Sequence, residues 1–367
     1  MAYREGQLTK IQINGFKSIR ECSIDLKPIN VLIGSNGAGK SNFISAFTLL
    51  QNILHQNLAV YAAQSGISSM FYNGMKVTEE IGMEFFFGNN SYGYVLIPTD
   101  DNRIIFRKEY FSYYGYNYNN ESNVSRGHSE AMWRRGVSNQ LDGYVRPILE
   151  KESWRVYHFH DTGRSAKLKQ EHPLANNLTL QWDAGNLAAF LYRLRENYTS
   201  QYNDIVRTIQ NIAPFFDDFV LQPNESNREL IVLKWRKKGC EDIFTASQLS
   251  DGTIRFICMA TLLLQPEELQ PATIIIDEPE LGLHPYAITI FAELVKAVSQ
   301  KKQLIMSTQS VELLNQFDAE DVIVVDSGEN GTEFRRLDME ALQIWLDEDY
   351  SLGELWNKNL LGGRVSR

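Results

Sequence analysis

Along the amino-terminal stretch, apolar residues alternate with polar ones: Leu8, Ile11, Ile13 and Phe16, then Ile24 and Leu26. A third strand-like run, Ile29–Ile33, has Pro28 at its entry. A period of two marks strands with one buried face. From Ser41 to about Leu58 the period lengthens, and Phe43, Ala46, Phe47, Leu50 and Leu54 fall on one face of a helix. Alternation returns over residues 81–110 through Ile81, Met83, Phe85, Phe87, Tyr94, Leu96, Ile104 and Phe106. Gly88-Asn89-Asn90 and Asp100-Asp101-Asn102 read as the hairpin turns between these strands.

The second half has a different rhythm. The pattern predicts a strand over Trp154–Phe159 and helices over Ala184–Asn197 and Ile205–Ala213, the latter stopped by Pro214. Strands follow at Phe219–Leu221, Glu229–Trp235 and Asp242–Ala246. A helix starts near Ser250, a buried strand covers Ala272–Ile276, and another helix follows Pro285. Strands Gln303–Met306 and Asp321–Val325 complete a strand–helix–strand alternation. The fold class is therefore α/β, with a parallel sheet carrying helices on its faces. Residues 112–135 break the pattern with tyrosine, asparagine and serine, and read as a loop or mobile insertion. A tyrosine-rich surface hairpin is the plainer account of that segment, and base stacking by its tyrosines the sharper one.

Composition narrows the function classes. The chain has 367 residues, 43% apolar and 22% charged, which suits a folded protein with a substantial core. Its formal net charge of −9 argues against a protein that wraps nucleic acid by bulk charge. Basic residues do cluster at Arg134-Arg135, at Arg164, Lys167 and Lys169, and at Lys234, Arg236, Lys237 and Lys238. These read first as solvated turns, and second as a rim facing DNA. Cys22, Cys240 and Cys258 form no CxxC pair, which suits a reducing, cytoplasmic location. The start MAYREGQLTK has no apolar core of a signal peptide, and no apolar run approaches a bilayer span, so no membrane partner is expected.

The chemistry sits in three short blocks. Gly34-Ser35-Asn36-Gly37-Ala38-Gly39-Lys40-Ser41 fits G-x-x-x-x-G-K-[ST] between a strand and a helix that continues through Asn42. Glycines let backbone N–H groups converge on phosphate oxygens, and the helix N-terminus adds partial positive charge. Lys40 would neutralise the β- and γ-phosphates, and Ser41 would offer its hydroxyl to Mg²⁺. The apolar strand at Ile274–Ile276 ends in Asp277 and Glu278. Asp277 would serve Mg²⁺, and Glu278 would polarise an attacking water as general base. Ser250-Asp251-Gly252, taken alone, is a helix cap with a turn glycine. His158 and His160 at i, i+2 would share a strand face beside Asp161, but a metal pair there lacks a third ligand. His284 is placed to cap the helix after Pro285.

Together these blocks resemble the ABC-type ATPase heads of the RecF/SMC/OLD group, AAA-family ATPases of bacteria. The resemblance rests on Ile11-x-Ile13-x-Gly15-Phe16-Lys17-Ser18-Ile19, on Gly34 to Asn42, and on Asp277-Glu278-Pro279-Glu280-x-Gly282-Leu283-His284-Pro285. The chain also resembles bacterial ATPases of about this length through Tyr157–Asp161, Gly185–Ala188, Leu249–Gly252, Ser307–Ser310 and Tyr350–Trp356. What the resemblance implies is a two-lobed head, with a mixed N-terminal sheet and a parallel P-loop sheet flanked by helices. Its parts would be 1–110, a lobe with the phosphate loop; 111–215, a lid-like insertion; 216–340, a lobe with the signature turn and the acidic strand; and 341–367, a helical tail.

The resemblance also implies ATP and Mg²⁺, and pairing with a second copy in which Ser250, Asp251 and Gly252 face the other copy's γ-phosphate. Further implied partners are DNA, in genome maintenance or anti-phage defence, or a separately encoded effector protein. Two departures stand out. No Q-loop glutamine follows the Trp154–Phe159 strand, so His160 or Asp161 takes its place. The switch position, usually histidine, reads Thr308-Gln309. Gln309 can hydrogen-bond a γ-phosphate or water but cannot accept a proton, which implies slow hydrolysis.

Overall fold

The computed structural model describes residues 6–115, 119–135, 140–151, 153–337, 342, 345 and 350–363. The chain divides into two compact units, and neither is one continuous stretch. The first comprises Met1–Val156, Pro271–Ile275 and Lys302–Arg367; the second comprises Tyr157–Gln270 and Ile276–Lys301. Boundaries near 110, 215 and 340 therefore do not coincide with the units.

The first unit holds two sheets. Strands β1 (Lys10–Phe16), β2 (Ile19–Asp25), β4 (Ile81–Phe87), β5 (Asn90–Pro98), β6 (Ile104–Tyr114) and β7 (Asn119–Ser125) form an antiparallel sheet in the order β2-β1-β4-β5-β6-β7. The other sheet has the order β17-β16-β3-β15-β14-β8. Its members are β3 (Ile29–Ile33), β8 (Trp154–Tyr157), β14 (Thr273–Asp277), β15 (Gln303–Thr308), β16 (Val322–Gly328) and β17 (Gly331–Arg336). β3 is parallel to both β15 and β16, and all its residues are buried, the polar Asn30 included. Helix α1 (Lys40–Leu54) buries Phe43, Ala46, Phe47, Leu50 and Leu54, the face read from the period. Those residues join Ile13, Phe85, Tyr94, Trp154, Ile275, Ile305 and Ile323 in one core. Helices α2 (Leu58–Ser65), α3 (Ile67–Met70), α4 (Gln140–Glu150) and α9 (Val311–Leu314) complete the unit with α10 (Leu352–Asn357). A capping box between Ser351 and Glu354 starts α10. Leu352, Leu355 and Trp356 pack against Ile33, Val322 and Val324, so this part of the tail folds back on its own unit.

The second unit contains helices α5 (Leu187–Asn197), α6 (Thr199–Ile212), α7 (Asp251–Leu264) and α8 (Pro285–Ser299). Its strands are short: β9 (His172–Pro173) pairs with β11 (Leu230–Ile231), and β10 (Phe216–Phe219), β12 (Lys234–Lys237) and β13 (Ile243–Thr245) form a small antiparallel sheet.

Three expectations are corrected. Much of the tyrosine-rich segment is strand, not loop: β6 and β7 form a hairpin, with residues 116–118 outside the described set. Tyr114 donates its hydroxyl to the buried carboxylate of Glu84. Tyr116 and Tyr118 lie outside the described residues. The expected strand Glu229–Trp235 is split between β11 and β12. β8 ends at Tyr157, so His158 and His160 lie in the loop beyond it rather than on a strand face.

A half-buried carboxylate tests the charge balance of the P-loop sheet. Asp321 precedes β16, and its burial, with Asp318 and Glu320 nearby, pushes its carboxyl up to about 6. The folded state then binds this proton more tightly than the unfolded chain. The penalty for ionising Asp321 grows as pH rises from about 4 to about 6 and is constant above that. Asp321→Asn should raise stability at neutral pH by about 1 kcal/mol, a figure discounted for partial exposure. The gain should fall by more than half near about pH 4.5, as urea unfolding at the two pH values would show.

Candidate functional site

In the first unit, β3 runs through Gly34–Gly39 into α1. The loop approaches its neighbours too closely for side chains at two places. A Cβ at Gly34 would lie 2.4 Å from the carbonyl oxygen of Val325, and one at Gly39 would lie 2.2 Å from Thr332 Oγ1. Gly39, at φ 114°, is the N-cap of α1 and supplies no side-chain cap. A helix N-terminus of this kind carries partial positive charge and suits a phosphate. Thr332 Oγ1 donates to the Ala38 carbonyl at 3.0 Å and lies 2.7 Å from Ser18 Oγ. Asn42 Nδ2 donates to the same serine hydroxyl at 2.7 Å. Lys40 is buried, and its Nζ donates to the carbonyls of Gly34 (2.6 Å) and Ser35 (3.0 Å). The Ser35 N–H donates to the carbonyl of Gly363 at 2.9 Å.

The same unit carries the switch position. β15 pairs with β3 with Thr308 opposite Ile33, so Gln309 and Gly34 leave adjacent strand ends. Thr308 Oγ1 accepts from the Ser310 N–H at 2.9 Å, and Ser310 caps α9.

The second unit gathers the acidic and signature residues. Glu278 follows the end of β14 with φ 43°, a left-handed conformation that costs a non-glycine residue about 1–2 kcal/mol. Such strain persists where the surroundings over-determine the backbone, and it concentrates at functional sites. His160 Nε2 donates to the Asp277 carbonyl at 2.8 Å, and His158 Nδ1 lies 3.8 Å from Asp277 Oδ2. Burial lowers the His158 pKa, against an opposing pull from Asp277. His160 is thus brought beside Asp277, whereas Asp161 turns to its own loop, accepting from the Gly163 N–H. Ser250 caps α7, its hydroxyl accepting from the Thr253 N–H at 3.2 Å. Asp251 is exposed, 3.9 Å from Lys169. A Cβ on Gly252 would lie 2.3 Å from the Gly282 carbonyl, so the signature turn packs directly on the loop after Glu278. His284 Nδ1 accepts from the Tyr286 N–H at 3.3 Å, as a cap before Pro285 should.

Among the described residues no group of three or more His, Cys, Asp or Glu could hold a metal ion, so a His158–His160 metal site has no support. Ser41, exposed in the first turn of α1, and Asp277 offer hydroxyl and carboxylate oxygens, the hard donors that suit Mg²⁺. The basic clusters are partly engaged. Lys167 pairs with Asp183, Arg236 pairs with Asp217, and Lys169 donates to the Thr162 carbonyl. Sequence reasoning assigned no role to Ser18, Thr332, Gly363 or Arg255. Only Ser18 carried a signal, through the Gly15-Phe16-Lys17-Ser18 block; the others act across long sequence separations.

Comparison with known proteins bears on the family and the fold. The family described as "AAA domain, putative AbiEii toxin, Type IV TA system" matches residues 29–315. The Old nuclease of Escherichia phage P2 is 24% identical over 386 residues, covering 92% of this chain and 62% of that protein. The chain thus spans less than two thirds of that relative. Among solved structures, an Smc head bound to the C-winged helix domain of ScpA matches with a TM-score of 0.61 at 15% identity, covering 94% of this chain and 100% of that one. The Smc head of Pyrococcus furiosus, with an extended coiled coil and bound to the C-terminal domain of ScpA, gives 0.58 at 14%, covering 93% and 99%. The fold is that of an SMC-head, ABC-type ATPase, as the motifs implied.

Thr332 gives the P-loop geometry a direct test. Thr332→Val keeps the side-chain shape but removes the hydroxyl held between Ala38 and Ser18. A lost buried hydrogen bond of about 1 kcal/mol corresponds to about a fivefold loss of nucleotide affinity. Equilibrium titration with a fluorescent ATP analogue should show that loss, with the melting temperature lowered by only a few degrees.

Proposed function

The chain belongs to the family described as "AAA domain, putative AbiEii toxin, Type IV TA system", an OLD- and SMC-like group of AAA ATPases, and we propose that it is an ATP-driven head that pairs with a second copy of itself when ATP is bound. The observation that carries this reading is the P-loop itself. Two glycines pressed against Val325 and Thr332 hold it open for phosphate at an uncapped helix start.

In the proposed reaction the glycine-rich backbone and Lys40 bind the β- and γ-phosphates of ATP. Ser41 and Asp277 are the residues that would hold Mg²⁺, which would supply charge neutralisation for those phosphates when bound. Glu278 takes a proton from water, whose oxygen attacks the γ-phosphorus while the bond to the ADP oxygen breaks. Gln309 hydrogen-bonds the γ-phosphate or the water. Because it carries no titratable proton, turnover is slow and the ATP-bound state is long-lived. Ser250, Asp251 and Gly252 of one copy face the γ-phosphate bound by the other, where the start of α7 favours negative charge. The exposed side chains Leu281 and Tyr286, in and after the loop beyond Glu278, suit an adjoining protein surface.

The cargo of the closed pair is DNA, in genome maintenance or anti-phage defence. A second reading, an ATP-gated scaffold that holds and releases a separately encoded effector, is favoured by one observation. Lys167 and Arg236 are paired with Asp183 and Asp217, and Lys169 donates to the Thr162 carbonyl, so part of their charge is offset within their own unit. DNA-stimulated hydrolysis, falling steeply with salt, would support the first reading. Nuclease-insensitive, ATP-dependent co-purification with a protein would support the second.

Light scattering on Glu278→Gln should shift from one chain to two on adding ATP with Mg²⁺; no shift would refute ATP-driven pairing. Ser250→Arg should fold normally yet block both pairing and hydrolysis, and normal turnover by this variant would contradict the head-to-head arrangement. Gln309→His should raise the steady-state hydrolysis rate. An unchanged or lower rate would show that the glutamine is not what slows turnover.

A further inference from the structure

Arg255 lies on α7 one turn beyond the signature residues Ser250–Gly252, and its guanidinium grips two backbone carbonyls. Nη1 donates to Leu281 O at 2.8 Å, in the loop after Glu278, and Nη2 donates to His160 O at 2.9 Å, in the loop after β8. The contacts close into a ring. His160 Nε2 bonds the Asp277 carbonyl, the chain runs from Asp277 through Glu278 to Leu281, and Arg255 joins Leu281 back to His160.

Two glycines make the ring tight. Gly282 has φ 76°, and a Cβ there would lie 2.8 Å from Arg255 Nη1, while a Cβ on Gly252 would lie 2.3 Å from Gly282 O. The left-handed backbone of Glu278 falls inside this ring. Both acceptors of Arg255 are backbone oxygens, so the side chain reads the path of the chain rather than any neighbouring side chain. A planar fork reaches two such carbonyls at once, whereas an ammonium is a point donor.

We infer that Arg255 is a positioning residue for hydrolysis. It holds the Asp277–Leu281 loop in the shape that presents Glu278 to water, and it ties that shape to the position of the signature turn. Movement at Ser250–Gly252 cannot occur without moving Arg255, and through it Leu281 and His160. The inference rests on the proposed role of Glu278 as general base.

The test is steady-state ATP hydrolysis by the full chain and its Arg255→Gln, Arg255→Lys and Glu278→Gln variants, with ATP-analogue affinity measured in parallel. Arg255→Gln should lower kcat at least about 30-fold while the analogue Kd changes less than about threefold. Arg255→Lys should recover part of the lost kcat. If Glu278→Gln is inactive and Arg255→Gln keeps kcat within about twofold of the parent, the inference is overturned and the base assignment survives. If Glu278→Gln hydrolyses ATP like the parent, or the parent does not hydrolyse it at all, both are overturned. Equal losses in kcat and affinity, without recovery by lysine, would reduce Arg255 to a structural role and overturn the inference. Should Arg255→Gln fail to fold, Gly282→Ala gives the same reading by crowding Nη1. A lowered kcat with intact binding supports the inference, and an unchanged kcat overturns it.

Discussion

The phosphate loop keeps its shape because two of its glycines have no room to be anything else. Gly34 is pressed against the backbone of Val325, and Gly39 against the side chain of Thr332. Both contacts come from β16 and β17, and the Thr332 hydroxyl reaches the loop carbonyl of Ala38 and the hydroxyl of Ser18. Remove that wall and the motif is a flexible glycine-rich turn; keep it, and the backbone is organised before any phosphate arrives. Preorganisation of this kind is what makes fixed dipoles effective, because no reorientation is needed when the ligand binds.

The second unit solves a different problem with a similar device. Its acidic residues are positioned through backbone contacts: His160 on the Asp277 carbonyl, Arg255 on the carbonyls of Leu281 and His160, and Gly252 against Gly282. Asp277 and Glu278 thus owe their places to main-chain contacts on either side of them. Charge-assisted hydrogen bonds from guanidinium to carbonyl are among the stronger ones available, and they can hold a residue such as Glu278 where its own torsional preference would not.

What could be read from the residues follows from how local each signal is. The α1 face of Phe43, Phe47, Leu50 and Leu54 is set by a period of one helix, and β3 is marked by Ile29, Val31, Leu32 and Ile33 lying together after Pro28. The caps at Ser250, His284 and Ser310 act within a few residues of themselves. β7 escaped detection because its residues are mostly exposed or half-exposed, so no alternating apolar face marks it. The strand expected over Glu229–Trp235 is interrupted between Ile231 and Lys234, a break that its apolar residues do not signal. At the site, the P-loop was legible because its glycines, lysine and serine are contiguous. Thr332 and Arg255 were not, because each is defined by a partner far away in sequence and carries no local pattern.

The bond from Thr332 to Ala38 joins residues 294 positions apart. During synthesis, the phosphate motif emerges long before the strand that shapes it. A nascent chain therefore displays the whole motif well before its cradle can form. Nucleotide cannot serve as an early template for folding, and an amino-terminal fragment lacking β17 would carry the motif without the wall against which Gly39 is set. In this protein, competence to hold a phosphate waits on a strand made long after the motif itself.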